Sequence, residues 1–120
     1  MINLGAIKNI SRVKKCPRGS VITGEGLGSI MFILLKGEVG VYTDYRLPSA
    51  EMVKVLMAGN FFADTGLLQD KRAAYTTAAL SEAIILPIER SSLHEFLQEE
   101  TALTYEIIKE LSLRLEQTGT

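Results

Sequence analysis

Ile30-Met-Phe-Ile-Leu-Leu-Lys-Gly-Glu-Val-Gly-Val-Tyr-Thr43 decides how the rest of the chain is read. Its first residues, Ile30 to Leu35, are apolar without alternation, and a short run of that kind bounded by turn residues reads as a strand buried on both faces. Such a strand is central to its sheet. Lys36-Gly37 reads as a two-residue hairpin link and Glu38 to Thr43 resumes with alternating valines, so the two strands are expected to pair antiparallel. Working outward, Val21-Ile22-Thr23 precedes a Gly24-Glu-Gly-Leu-Gly28 turn, Met52 to Leu56 is a strand after a loop containing Pro48, and Ala83-Ile-Ile-Leu-Pro-Ile88 is another strand. Pro87 has no N–H for a ladder, which places it at an edge or a strand end. Several short strands with no helix between them point to an antiparallel sandwich or roll.

Helical spacing is confined to the two ends. Leu4, Ile7, Ile10 and Val13 recur every three residues, which predicts a short helix ending before Pro17. At the other end Ser92 and Glu95 have the spacing of a capping box, opening a helix whose buried stripe is Leu93, Phe96 and Leu97. The last helix runs from Thr101 to Gln117. Its Leu103, Ile107, Leu111 and Leu115 repeat every four, with Ile108 beside them, a stripe wide enough to cover the roll and also to meet a second copy.

Between the strands lies Gly59-Asn-Phe-Phe-Ala-Asp-Thr-Gly-Leu-Leu-Gln-Asp-Lys-Arg-Ala-Ala74. It places a glycine turn, an aromatic pair, a bend with a carboxylate, a one-turn apolar segment and one arginine within a few turns of chain. A turn into a short helix leaves N–H groups without intrahelical partners, and together with a guanidinium they make a preformed site for an anion. An ordinary surface connection with a solvated arginine is the competing reading.

Composition narrows the function. The chain has 120 residues, a formal net charge of −1, 47% apolar and 22% charged residues, the profile of one folded domain spanning 1–120. That balance gives no electrostatic reason for this chain alone to bind nucleic acid. Cys16 cannot form an internal disulfide and, with no export signal, fits a cytoplasmic protein; His94 has no partner for a metal site. No apolar run reaches the length that spans a membrane. Serines 81, 91 and 92 lack a base arrangement, so no catalytic constellation is expected.

Gly19-Ser-Val-Ile22, the Gly24 to Gly28 turn, Phe32-Ile-Leu-Leu-Lys-Gly-Glu-Val39, Gly59-Asn-Phe-Phe62, Leu67-Leu68 and Arg72-Ala-Ala74 together resemble the cyclic nucleotide-binding domain of the catabolite activator and protein kinase A regulatory family. The resemblance covers nearly the whole chain. It implies a mainly β fold: an antiparallel double-stranded β-roll of jelly-roll type at about 13–89, with a short N-terminal helix and two C-terminal helices at about 91–117. It further implies a phosphate-binding cassette in which Arg72 with Ala73 grips the cyclic phosphate and a short helix runs from Thr65 to Gln69. The family's Gly-Glu pair is replaced by Ala63-Asp64. Ala63 adds a Cβ where glycine allows a close approach or a positive φ, and Asp64 is about 1.5 Å shorter than a glutamate. Arg114-Leu-Glu-Gln-Thr118 resembles the end of the activator's long helix and makes Thr118 a candidate base contact.

The expected site is therefore Arg72, Ala73, Ala63, Asp64, Thr65, Gly66 and Thr118. One function follows from it: a non-catalytic sensor for cAMP, cGMP or a related small anion that repositions helix 101–117, with a homodimer through that helix. The other is a degenerate member of the fold that serves as a dimerisation or interaction scaffold without nucleotide. No cofactor, metal or membrane partner is expected in either case.

Overall fold

Ile30–Lys36 forms the strand buried from both sides, and two four-stranded sheets are built around it. The computed structural model describes residues 1–6, 12–24, 28, 30–64 and 75–117. The strands are β1 (Lys14–Cys16), β2 (Val21–Thr23), β3 (Ile30–Lys36), β4 (Val39–Thr43), β5 (Glu51–Leu56), β6 (Phe61–Phe62), β7 (Thr76–Ala79) and β8 (Ala83–Glu89). One sheet runs β1-β8-β3-β6 and the other β2-β7-β4-β5, with every pairing antiparallel. The expected β-roll is what forms.

Alternation along β3 divides the core into two layers. Met31 and Ile33 face a layer with Ile2, Phe61, Leu86, Ile88 and the helices' Phe96, Leu103 and Ile107. Phe32 and Leu34 face the space between the sheets, with Val39, Leu56, Phe62, Ala79 and Ile85. An apolar residue at every position is what a strand covered on both faces requires.

The expected hairpin between Ile30–Lys36 and Val39–Thr43 does not form. β3 pairs with β6 and β8, whereas β4 pairs with β5 and β7, so the chain passes from one sheet to the other at Gly37. Gly37 has a φ of +92°, and a Cβ there would collide with the carbonyl oxygen of Glu82. The backbone groups of the crossing are met elsewhere: Glu38 N–H donates to Ser81 Oγ at 3.1 Å and Glu38 C=O accepts from Leu80 N–H at 2.9 Å. Pro87 is likewise not in an edge strand, since β8 lies between β1 and β3. However, β1 reaches only from Ala83 to Ile85, and Pro87 lies past its end while facing Phe32 on the β3 side. The missing N–H therefore falls where β1 no longer asks for a bond.

At the chain's start, only a 3₁₀ turn at Leu4–Ala6 lies within the described part of the helix expected over 4–13, and Lys14–Cys16 is strand β1. Two lysines in a three-residue strand leave no alternation to read. After β8 a 3₁₀ turn, Arg90–Ser92, leads into α1 (Leu93–Glu99), followed by α2 (Thr101–Gln117). The capping box is absent: Ser92 is the N-cap residue but makes no side-chain cap, and its hydroxyl donates to Glu89 C=O at 3.4 Å. The preceding turn already supplies a carbonyl, that of Arg90, to the Leu93 N–H. Phe96 is buried as expected while Leu97 is exposed, and on α2 Leu103 and Ile107 are buried while Ile108 and Leu115 face outward.

The first residues strap α2 to the roll. Ile2 is buried in the helix-side layer, its N–H donates to Gly59 C=O at 2.8 Å, and the Asn3 N–H donates to Glu106 Oε1 at 3.2 Å. Burying an isoleucine contributes about 1.5–3 kcal/mol, against about 1 kcal/mol for each hydrogen bond, so Ile2 holds the strap and the bonds fix its register. The Lys109 ammonium, 2.8 Å from Glu106 Oε2, together with the Asn3 N–H holds the Glu106 carboxyl below the usual carboxylate range and raises Lys109. A carboxylate lowered by folding stabilises above its unfolded value and loses that contribution as pH falls through the lowered one. Acid titration followed by circular dichroism should show melting temperature falling below the ordinary carboxylate range. Glu106→Gln, which keeps an acceptor for Asn3, should flatten that fall.

Candidate functional site

The described part of the site begins at β6, a two-residue strand whose side chains go opposite ways. Phe61 enters the helix-side layer, while Phe62 enters the inter-sheet layer and stacks on Phe32 with ring centroids 5.3 Å apart. The next residue, Ala63, has a φ of +60° and packs against the inter-sheet layer. This is the position where the sequence carries alanine in place of the resembled glycine. The left-handed conformation costs an L-residue about 1–2 kcal/mol, so the turn keeps the shape of a glycine site without the glycine.

Asp64, where the chain turns helical, is not free. Arg114 Nη1 from the last turn of α2 donates to Asp64 Oδ2 at 3.1 Å, and Nη2 donates to Phe61 C=O at 3.2 Å. The guanidinium also lies 4.1 Å from the centre of the Phe61 ring. With the Arg114 side chain 43% exposed, the ion pair contributes at most about 1 kcal/mol, and the ring contact about 0.5–1 kcal/mol. Such weak terms set the position of a helix end; they do not hold a fold together. Arg114 was missed as a site residue because α2 reads as a covering helix. Its place near Thr118, as a cation in a helix's last turn, is the signal that was available. Thr65, Gly66, Arg72, Ala73 and Thr118 lie outside the described residues, so Ala63 and Asp64 are the expected positions that can be placed.

A second feature comes from register. Thr23 pairs with Thr77, Thr77 with Val41 and Val41 with Lys54, one continuous row across β2, β7, β4 and β5. Val41 packs against the inter-sheet layer, as does the neighbouring row of Ala79, Val39 and Leu56, so Thr77 and Val41 face inward. The Thr23 and Thr77 hydroxyls are 2.6 Å apart and Thr77 is buried. The roll's interior thus carries two hydroxyls beside its apolar floor, while Lys54, at the far end of the row on the edge strand, is exposed. Clefts lined wholly by described residues lie elsewhere: one between β8 and α1 includes Arg12, Pro87 and Phe96, and one of about 170 Å³ at the β1–β2 corner includes Cys16, Phe32 and Ile85. Neither includes Ala63, Asp64 or Arg114.

Other chemistry is thin. Burial pushes the Cys16 thiol up, which makes it a poor nucleophile. Among the described residues no group of three His, Cys, Asp or Glu is placed to hold a metal, and no helix is long and apolar enough to cross a membrane.

The strain at Ala63 is measurable. Ala63→Gly relieves the left-handed cost but gives back unfolded-state freedom, for a net gain of about 0.5–1 kcal/mol in urea denaturation, whereas alanine to glycine at buried Ala79 should lose stability.

With the geometry in place, the comparisons are informative. Residues 13–100 match the model of the cyclic nucleotide-binding domain family. No curated protein sequence matches the chain. Among solved structures, the catabolite activator protein of Thermus thermophilus is similar with a TM-score of 0.72 and 18% identity, covering 89% of this chain and 51% of that one. A cyclic nucleotide-binding domain from Methylobacillus flagellatus KT gives 0.71 and 17%, covering 88% and 62%. cAMP-bound PfPKA-R gives 0.60 and 22%, covering 89% and 36%. The chain thus spans about half the length of the activator and about a third of the kinase regulatory chain. A shared roll with that family match over most of the chain leaves one assignment: this chain belongs to the cyclic nucleotide-binding domain family.

Proposed function

We propose that the chain is a non-catalytic regulatory domain that binds a cyclic nucleotide, or a related small anion, inside the roll and reports occupancy through α2. The phosphate is held by Arg72 and the N–H groups of 64–66, with Ala63, Thr65, Gly66 and Ala73 forming the wall and Thr118 reaching the base. Family membership supports the ligand class, and a similar domain is described as cAMP-bound. The observation that carries the output is the Asp64–Arg114 contact, which ties the segment holding the phosphate to the last turn of α2. A ligand that competes for either partner shifts that helix end, and coupling of this kind is typically about 1–3 kcal/mol. Because the tie is weak, a small difference in ligand contacts is enough to move it.

A second reading, a dimerisation scaffold, is favoured by the outward stripe on α2. Tyr105, Ile108 and Leu115 are 65%, 60% and 63% exposed at helical spacing. The two roles are compatible, since a helix whose end responds to ligand can also meet a second copy.

Calorimetric titration of the folded chain with cAMP and cGMP tests the first reading. Saturable binding is expected, and Arg72→Ala should weaken it by about 10- to 150-fold, the loss of a charge-assisted hydrogen bond. Absence of binding by the folded chain would leave only the scaffold. For the second reading, light scattering after gel filtration should give a dimer mass that Ile108→Glu converts to a monomer; a monomer at all concentrations would remove it.

A further inference from the structure

The inter-sheet layer is left open at one corner of the roll. β1 and β2 are the outer strands of their two sheets, and each is only three residues long, so neither covers the layer along its full length. The cavity of about 170 Å³ at this corner has Cys16, Ile22, Phe32 and Ile85 as its floor, with Lys14 and Lys15 also lining it. Cys16, Phe32 and Ile85 are buried members of the inter-sheet layer, and Ile22 packs against it. Lys14 stands opposite Ile85 in the register of β1 with β8 and shares a strand face with Cys16, two residues on. Burial pushes the Cys16 thiol up and the Lys14 ammonium opposes that push, as a charge close to the floor would.

The two lysines differ in what they already hold. Lys15 is 3.5 Å from Glu82, whereas Lys14 is exposed and makes no hydrogen bond or ion pair among the described residues. The Ser20 hydroxyl is given to Pro17 C=O at 2.6 Å, which leaves recognition of a charged head group to the ammoniums. An apolar cavity of about 150 Å³ is known to accept a benzene ring, so this floor has room for one.

We propose that the β1–β2 corner is a second small-molecule site, separate from Ala63, Asp64 and Arg114, that takes a compact apolar carboxylic acid of about one ring. The body lies on Phe32 and Ile85, and the carboxylate meets Lys14. A phosphate, with no apolar body, would leave that floor unused. Lysines on an outer strand also have a plain alternative use, as guards against edge-to-edge association.

The test is nuclear magnetic resonance of the whole ¹⁵N-labelled chain, titrated at constant ionic strength with benzoate and with benzamide, its neutral isostere. Saturable shifts should centre on Cys16, Ile22, Phe32 and Ile85, with a dissociation constant of about 1–10 mM. Benzoate should bind about 2- to 5-fold more tightly than benzamide, and Lys14→Met should bring the two level by weakening benzoate alone. No saturable shift at these residues in the folded chain would overturn the site. Equal affinities in the wild type, or a difference that Lys14→Met leaves in place, would overturn the choice of a carboxylic acid held by Lys14. Shifts centred on Ala63, Asp64 and Arg114 would assign benzoate to the anion site and equally overturn a second one. Association of Lys14→Met on gel filtration with benzoate affinity unchanged would make Lys14 an edge guard and remove it from any site.

Discussion

A strand that cannot tolerate water on either side organises this molecule. β3 needs one apolar layer beneath the helices and another between the sheets, and both are supplied from distant parts of the sequence: Ile2, Phe96, Leu103 and Ile107 on one side, Val39, Leu56 and Ala79 on the other. The strand that follows cannot lie beside it as a hairpin partner without leaving the second layer unmade. Gly37 turns the chain out of the first sheet, and from there the second sheet provides the lid that β3 requires.

The two layers explain why the site is where it is. The helix-side layer anchors α2 over β6, and the inter-sheet layer ends at the row of Thr23, Thr77 and Val41. Between them the chain leaves β6 through a strained alanine and meets α2 again through Arg114. Strength and adjustability are thus separated: the deep contacts are apolar and numerous, and the polar contacts of Arg114 at the helix end are weak and half-exposed.

Much of the architecture was legible in the sequence because burial on two faces and the four-residue repeat of Leu103, Ile107 and Leu111 leave a pattern in residue type. What was not legible depended on partners far away in the chain. Lys36-Gly37 has the length of a hairpin link, and nothing local says that β8 will claim the flank of β3 first. Pro87 argues for an edge, and only the short reach of β1 reconciles it with a central strand. The site was partly legible: Ala63 and Asp64 stand out through the resemblance to the family's cassette, where they replace a Gly-Glu pair, whereas Arg114 acquires meaning only from its place at a helix end.

The two-residue strand β6 has a consequence for how such a chain can change over generations. Phe61 and Phe62 serve opposite layers, so inserting or deleting a single residue within β6 would exchange their sides and empty both at once. Length variation between sequences of this kind should therefore collect in connections such as 44–50, and the spacing from Gly59 to Ala63 should resist it.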